Sequence, residues 1–453
     1  MREVREDITG GSAAAVRLAR GVPLREALDC GAPAAWTALD AGVRPLHWGA
    51  HYLVEWEWNE AGRTLTAAMH AGEPLSESQL ALALCHRDGR IRAAALWRMD
   101  GHPDLLPLLV VRCADWAEPV RKQARLRLGE VLDAGRAVAL LPLILRVGRR
   151  ERGEFAVGLA DELLREAPRE VLTTLYTDSD RSVRRYAYRR AVEEGLFSPG
   201  ELARVAAQDD DTVVQNLCAD AALAALAAVP DGDCNDVLEP LLTARNPRVR
   251  SAGVTALRRA GRAEQAVEFL ADRAGLVRAC ARYVVRQYGG DPLSWYRERC
   301  AEPGDPALPP GAAAGLAECG QRSDAEALWS LVRHPLPGVR ARAVAGLRVL
   351  DAADARRLLP MLDDQAPGVV REVTAAVLPS AALLPEEWLV ERLGTGWPRA
   401  VRIAAFRLLA ERGGAAGQRA LIALRADPDE ELRLRATRAA RRWDRGGSEA
   451  DRA

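Results

Sequence analysis

The chain's chemistry-bearing residues fall into a few short clusters. Tyr186 and Tyr188 sit between Arg185 and Arg189, a pattern that can stack a base and neutralise phosphate. Trp36 and Asp40 are four residues apart, so a helix sets an acid beside an aromatic ring. His47, His51 and Glu55 share that spacing and line one helix face, as metal ligands would. No second cluster completes the shell, however, and Gly49 weakens the helix, so polar capping residues are the plainer reading. Tyr52, Trp56 and Trp58 follow directly. Trp56-Glu57-Trp58 cannot place both rings on one helical face, which makes this group an aromatic interface candidate.

No complete catalytic constellation accompanies these groups. The 453 residues contain no G-x-S-x-G, no H-E-x-x-H, no phosphate loop and no dinucleotide fingerprint, and only 6 histidines. The expectation is a non-enzymatic protein with no cofactor and no bound metal. Charge is balanced, with 63 Lys+Arg against 63 Asp+Glu, so bulk basicity gives no argument for nucleic acid. Lys122 is the sole lysine, and that skew makes arginine abundance weak evidence for phosphate recognition. The 8 cysteines are scattered, none in a C-x-x-C pair, and read as reduced core thiols of a cytoplasmic protein. The start is charged and no apolar run nears ~18 residues, so neither a leader nor a membrane helix is expected.

What must position any site is a repeat. Val-Arg pairs recur at Val120-Arg121, Val183-Arg184, Val249-Arg250, Val277-Arg278, Val339-Arg340 and Val401-Arg402. With weaker matches, the equivalent slots are Arg92, Arg121, Arg152, Arg184, Gln215, Arg250, Arg278, Pro309, Arg340, Val370, Arg402 and Arg433. They span 341 residues over eleven intervals, a mean of 31. The residue before the slot is apolar except at Glu151; the residue three after is Ala, Gly or Cys except at Phe155 and Val373. Seven after the slot come larger groups such as Met99, Leu128, Leu257 and Leu347. Offsets of −1, +3 and +7 form one helical stripe, and the small residue in mid-stripe lets a neighbouring helix come close.

The slot therefore opens the second helix of a two-helix unit. Asp88, Asp180, Asp211, Asn246 and Asp429 stand four residues before their slots, as N-caps. The first helix is leucine-rich, as at Leu105 to Leu109 and Leu358 to Leu362. A helix pair of this size cannot bury its stripe alone, so pairs must stack. The phase weakens at Glu151-Arg152, at Pro309-Pro310, and between Gln215 and Arg250, where the interval is 35; loops or kinks are expected there.

These columns and the D-x-x-V-R-x-x-A pattern resemble the HEAT-like repeat family, most closely its short bacterial version known from phycobilisome lyases. The resemblance covers residues 76–445. It implies an all-α, right-handed superhelical solenoid of about twelve pairs, with second helices on the concave side. It also implies that the slot arginines pair with acidic turn residues as a ladder. Acids six before a slot, Asp115, Asp178, Asp209 and Asp427, suit that role. Residues 1–75 fit the repeat poorly and read as a helical cap, with helices at 24–28, 34–39 and 46–58. Residues 446–453 read as a frayed tail.

Segments from −1 to +11 around the slots carry a net +15, nine of it from slot arginines, against −15 elsewhere. Off the stripe lie Arg185, Arg189, Arg258, Arg282, Arg286, Arg348 and Arg407, candidates for a basic track on the inner helices. The expected partner is an extended protein or peptide. Nucleic acid is the second reading, since the resemblance extends loosely to DNA alkylation-repair glycosylases, and Trp36, Asp40, Tyr186 and Tyr188 would then matter. A lyase-like role on a chromophore or peptide is a third, for which no residue argues.

Overall fold

The computed structural model describes residues 2–43, 52–228 and 234–450; their side chains are described for 10–43, 60–227 and 234–440, Ala416 excepted. All regular elements among the described residues are helices. The chain divides into two compact units, residues 1–196 and 197–453.

The first unit begins with Arg2–Ala19, Leu24–Ala27, Pro33–Val43 and Tyr52–Ala71. Four helix pairs follow: Glu77–Leu84 with Gly89–Leu96, Leu106–Arg112 with Glu118–Val131, Ala134–Gly148 with Glu154–Arg165, and Arg169–Tyr176 with Arg181–Glu193. The second unit holds eight pairs. Their second helices are Thr212–Ala228, Pro247–Arg259, Gly275–Gln287, Pro310–Cys319, Pro337–Val349, Pro367–Val377, Arg399–Arg412 and Glu430–Ala450. In this unit each second helix from Thr212–Ala228 to Pro367–Val377 packs against the next one in the chain. That neighbour-to-neighbour stacking is the all-α solenoid arrangement the periodicity requires.

The columns explain the packing. At offset −1, Val120, Val183, Val249, Val277, Val339 and Val401 are buried, each burial contributing about 1.5–3 kcal/mol. At +3, Ala95, Ala124, Ala281, Ala312, Ala343 and Ala436 have no exposed surface. Gly253 shows why that column is small: a Cβ there would meet the Leu241 Cβ at 3.0 Å. The cap residues act as their positions demand. Asp88, Asp180 and Asn246 accept the N–H two residues on at 2.8, 2.7 and 2.9 Å. Asp211 and Asp429 do the same at 2.9 Å each.

Two expectations are corrected. Helix Arg2–Ala19 is absent from the sequence reading because its contact with Pro33–Val43 is made partly by glycine. A Cβ on Gly11 would lie 1.9 Å from the Ala38 carbonyl oxygen, so no apolar period marks the crossing. Pro309-Pro310 does not break a helix: Pro309 is the N-cap and Pro310 the first residue of Pro310–Cys319, where a missing N–H costs nothing. The last helix spans Glu430–Ala450. The described part of residues 1–75 shares the first unit's core with its repeats, Trp36 and Leu39 joining Leu108, Leu141 and Ile144.

Candidate interaction site on the second helices

The slot residue is the fourth residue of its second helix in ten of the twelve pairs, as with Arg250 in Pro247–Arg259 and Arg340 in Pro337–Val349. The exceptions are Arg152, outside Glu154–Arg165, and Pro309. From that position the guanidiniums of Arg92, Arg250, Arg340 and Arg402 each span two repeats. Arg340 Nη1 donates to the carbonyls of His334 and Pro335, at 2.9 and 3.0 Å, closing its own turn. Its Nε and Nη2 fork onto Asp364, both at 2.8 Å. Asp364 stands six residues before the next slot, and its Oδ1 also accepts the Ala366 N–H at 2.8 Å. Arg250 treats Ala244, Arg245 and Asp272 identically, and Arg92 treats His86, Arg87 and Asp115 so. Arg402 reaches Asp427 through Nη1 and Nη2 instead, while its Nε donates to the Leu393 carbonyl at 2.9 Å. A carboxylate held by a planar fork and a backbone amide is well matched in geometry and fixes register.

Where the slot is not arginine, the residue six before the next slot is not an acid. Below Gln215 the equivalent residue is Ala244, and the rung is neutral: Gln215 Oε1 accepts from Asn246 Nδ2 at 2.8 Å. Below Pro309 it is His334, 1% exposed, whose Nδ1 accepts the Leu336 N–H at 3.0 Å, as a carboxylate would. Below Val370 it is Gly396. Below Arg278 it is Pro303, and Glu318 supplies the missing carboxylate to both Arg278 and Arg282. Burial pushes Glu318 up, but hydrogen bonds from the two arginines outweigh it and hold the group below the usual carboxylate range.

These facts sort the sequence candidates. Arg282 is consumed by Glu318 and is largely buried. Tyr188 is 7% exposed with its ring 5.1 Å from Tyr176, and Tyr186 donates to Asp161; the pair is built into the packing rather than offered as a base platform. Trp36 is 2% exposed and its Nε1 donates to the Cys30 carbonyl. Asp40 is 3% exposed, bonded to Arg112 and 3.3 Å from Arg150. Arg112 in turn meets Asp115, which binds Arg92, so Asp40 belongs to a buried ion network and has no free face for an acid's work. The side chains of Tyr52, Trp56 and Trp58 lie outside the described ones, as do His47, His51 and Glu55. Among the described residues no three His, Cys, Asp or Glu group as metal ligands.

The remaining candidates are solvent-facing. Arg189, Arg258, Arg286, Arg348 and Arg407 are exposed, and Arg185 is half-buried. Arg258, Arg286 and Arg348 occupy the same place, eight after the slot. Arg348 lies 3.8 Å from Glu372. Arg258 meets no carboxylate among the described residues; its Nη1 donates to the Tyr283 hydroxyl at 2.6 Å, and the Tyr288 hydroxyl donates to its carbonyl at 2.7 Å. Tyr283 and Tyr288 are 45% and 55% exposed, and the sequence reading does not single them out. A signal existed: offset +5 holds Trp97, Leu126 and Tyr283, large apolar groups on a row that should be polar.

No family model matches the chain, and no curated protein does. Among solved structures, one concerning Kap95p binding to RanGDP and nuclear import complex assembly aligns at 12% identity and a TM-score of 0.29. The alignment covers 93% of this chain and 59% of that one. A second concerns tubulin recruitment by microtubule polymerases with tumor overexpressed gene domain arrays, at 10% identity, TM-score 0.24, and 90% and 98% coverage. The chain thus spans about three-fifths of the first of these.

Proposed function

We propose that this chain is a non-enzymatic scaffold that binds an extended protein segment along the exposed row of its second helices. One observation carries the reading. Arg92, Arg250, Arg340 and Arg402 are spent on carboxylates across repeats, yet Arg258, Arg286 and Arg348 at offset +8 are exposed, with aromatic hydroxyls rather than acids beside Arg258. Arg258 and Arg286 stand on adjacent second helices and Arg348 two helices further on, and cations spread over that many helices, each about 8–10 Å from the next, suit a long acidic ligand better than a metabolite. The nucleic-acid reading loses its aromatic support with Tyr186 and Tyr188 in the packing, and its acid with Asp40 in an ion network.

The test is capture by the purified full chain from cell extract, with and without prior nuclease treatment, beside an R258E/R286E/R348E variant. A protein retained by the wild type and lost by the variant supports the scaffold. Nucleic acid co-purifying with the chain, with no protein retained, would contradict it.

A further inference from the structure

One groove on this row has a defined chemistry. In the second unit, helices Thr212–Ala228, Pro247–Arg259 and Gly275–Gln287 enclose an open groove of about 820 Å³. Its floor is apolar, with Leu223, Leu226, Ala252 and Ala256. Its rim carries Arg258, Arg259 and Tyr283, and no acidic residue among the described residues lines it. Arg286 stands one turn beyond Tyr283 on the same helix, exposed. None of the three arginines is paired with a carboxylate among the described residues, whereas the nearby Arg250, Arg278 and Arg282 all are.

We infer that this groove is a docking site for a short acidic peptide segment of a partner, anchored by one or two large apolar side chains between carboxylates. The inference rests on the scaffold reading and names a binding site within it. Charge complementarity selects the occupant. An apolar floor takes Leu or Phe side chains, and unpaired guanidiniums on the rim take Asp or Glu. Arg258 and Arg286 lie on adjacent helices, whose axes are 8–10 Å apart; extended chain rises about 3.3 Å per residue, so flanking acids about three residues apart reach both. Tyr283 presents its ring beside the floor, and the Arg258 guanidinium lies 5.9 Å from that ring's centroid, which fixes the rim. A lone carboxylate metabolite leaves most of the floor uncovered.

The experiment is fluorescence anisotropy on the full chain with a labelled peptide Gly-Glu-Glu-Leu-Phe-Glu-Glu-Gly. Saturable binding is expected, weakened roughly tenfold or more by R258E/R286E and by added salt. Replacing Leu-Phe by Ser-Ser should weaken it comparably, and a Lys-for-Glu peptide should not bind. Thr255→Trp fills the groove from an exposed position and should abolish binding with circular dichroism and melting unchanged. Equal binding by wild type and T255W would overturn the site, as would no saturable binding of this peptide or preferred binding of single-stranded DNA. If partner capture persists in R258E/R286E while the peptide fails, the groove is wrong and the scaffold stands; if no protein is captured at all, the scaffold itself falls.

Discussion

Arg340 grips Asp364 across the boundary between consecutive helix pairs, with Nε and Nη2 each 2.8 Å from a carboxylate oxygen. The same guanidinium closes its own turn, so one side chain ties the geometry of a repeat to the placement of the next. Removing the carboxylate leaves a mostly buried cation unmatched. Asp364→Asn should destabilise the second unit by roughly 3 kcal/mol, read from urea unfolding. A loss below about 0.5 kcal/mol would mean the pair behaves as a surface ion pair.

Acid should weaken the interlock. Burial alone would push the Asp272 and Asp364 carboxyls up, but hydrogen bonds from Arg250 and Arg340 and from the Ala274 and Ala366 amides outweigh it and hold both below their usual range. A depressed folded value means the contribution is present above the unfolded pKa of about 4 and is lost as pH falls through the folded value. The stability gap between wild type and D272N/D364N should be flat from about pH 7 to 5 and narrow below about pH 4. A gap that widens on acidification has the wrong sign for this account.

The neutral rung offers a gain-of-pair test. Gln215 and Ala244 stand where other repeats have Arg and Asp, and both are buried. Q215R alone and A244D alone should each destabilise by about 2–4 kcal/mol, as unmatched buried charges do. The double variant should recover at least roughly 1.5 kcal/mol through coupling. Strict additivity would show that the two positions do not face each other as the rung requires.

The crossing of Arg2–Ala19 on Pro33–Val43 tolerates no added methyl. Gly11→Ala places a Cβ against the Ala38 backbone and should destabilise the first unit by about 1–3 kcal/mol or more. A thermal midpoint unchanged from wild type would show that the two helices do not approach so closely.

Much of this was legible before any coordinates. The start of nearly every second helix follows from Val at −1, a cap at −4 and a small residue at +3, because those positions answer to local geometry and to one adjacent helix. The slot arginines read correctly as a ladder, but the partner of each was ambiguous. The acid at −6 belongs to the next repeat, as Asp272 serves Arg250, and Glu318 serves Arg278 from 40 residues away. No local pattern marks such a substitution. Arg282 looked like a free inner-face cation for the same reason. Tyr188 remains a stacking candidate in the sequence because a tyrosine beside arginines carries no mark of the Tyr176 ring that packs on it. The glycine-lined crossing at Gly11 lacked apolar period altogether.

The central claim is that each helix pair is held by its immediate neighbours, through shared core and an arginine rung. Hydrogen-exchange mass spectrometry of Asp364→Asn against wild type tests it most directly. Exchange should quicken in Pro337–Val349, Pro367–Val377 and the first helices beside them, while Arg2–Ala19 and Pro33–Val43 keep wild-type protection. Uniform loss of protection through both units, or loss greatest far from position 364, would contradict it.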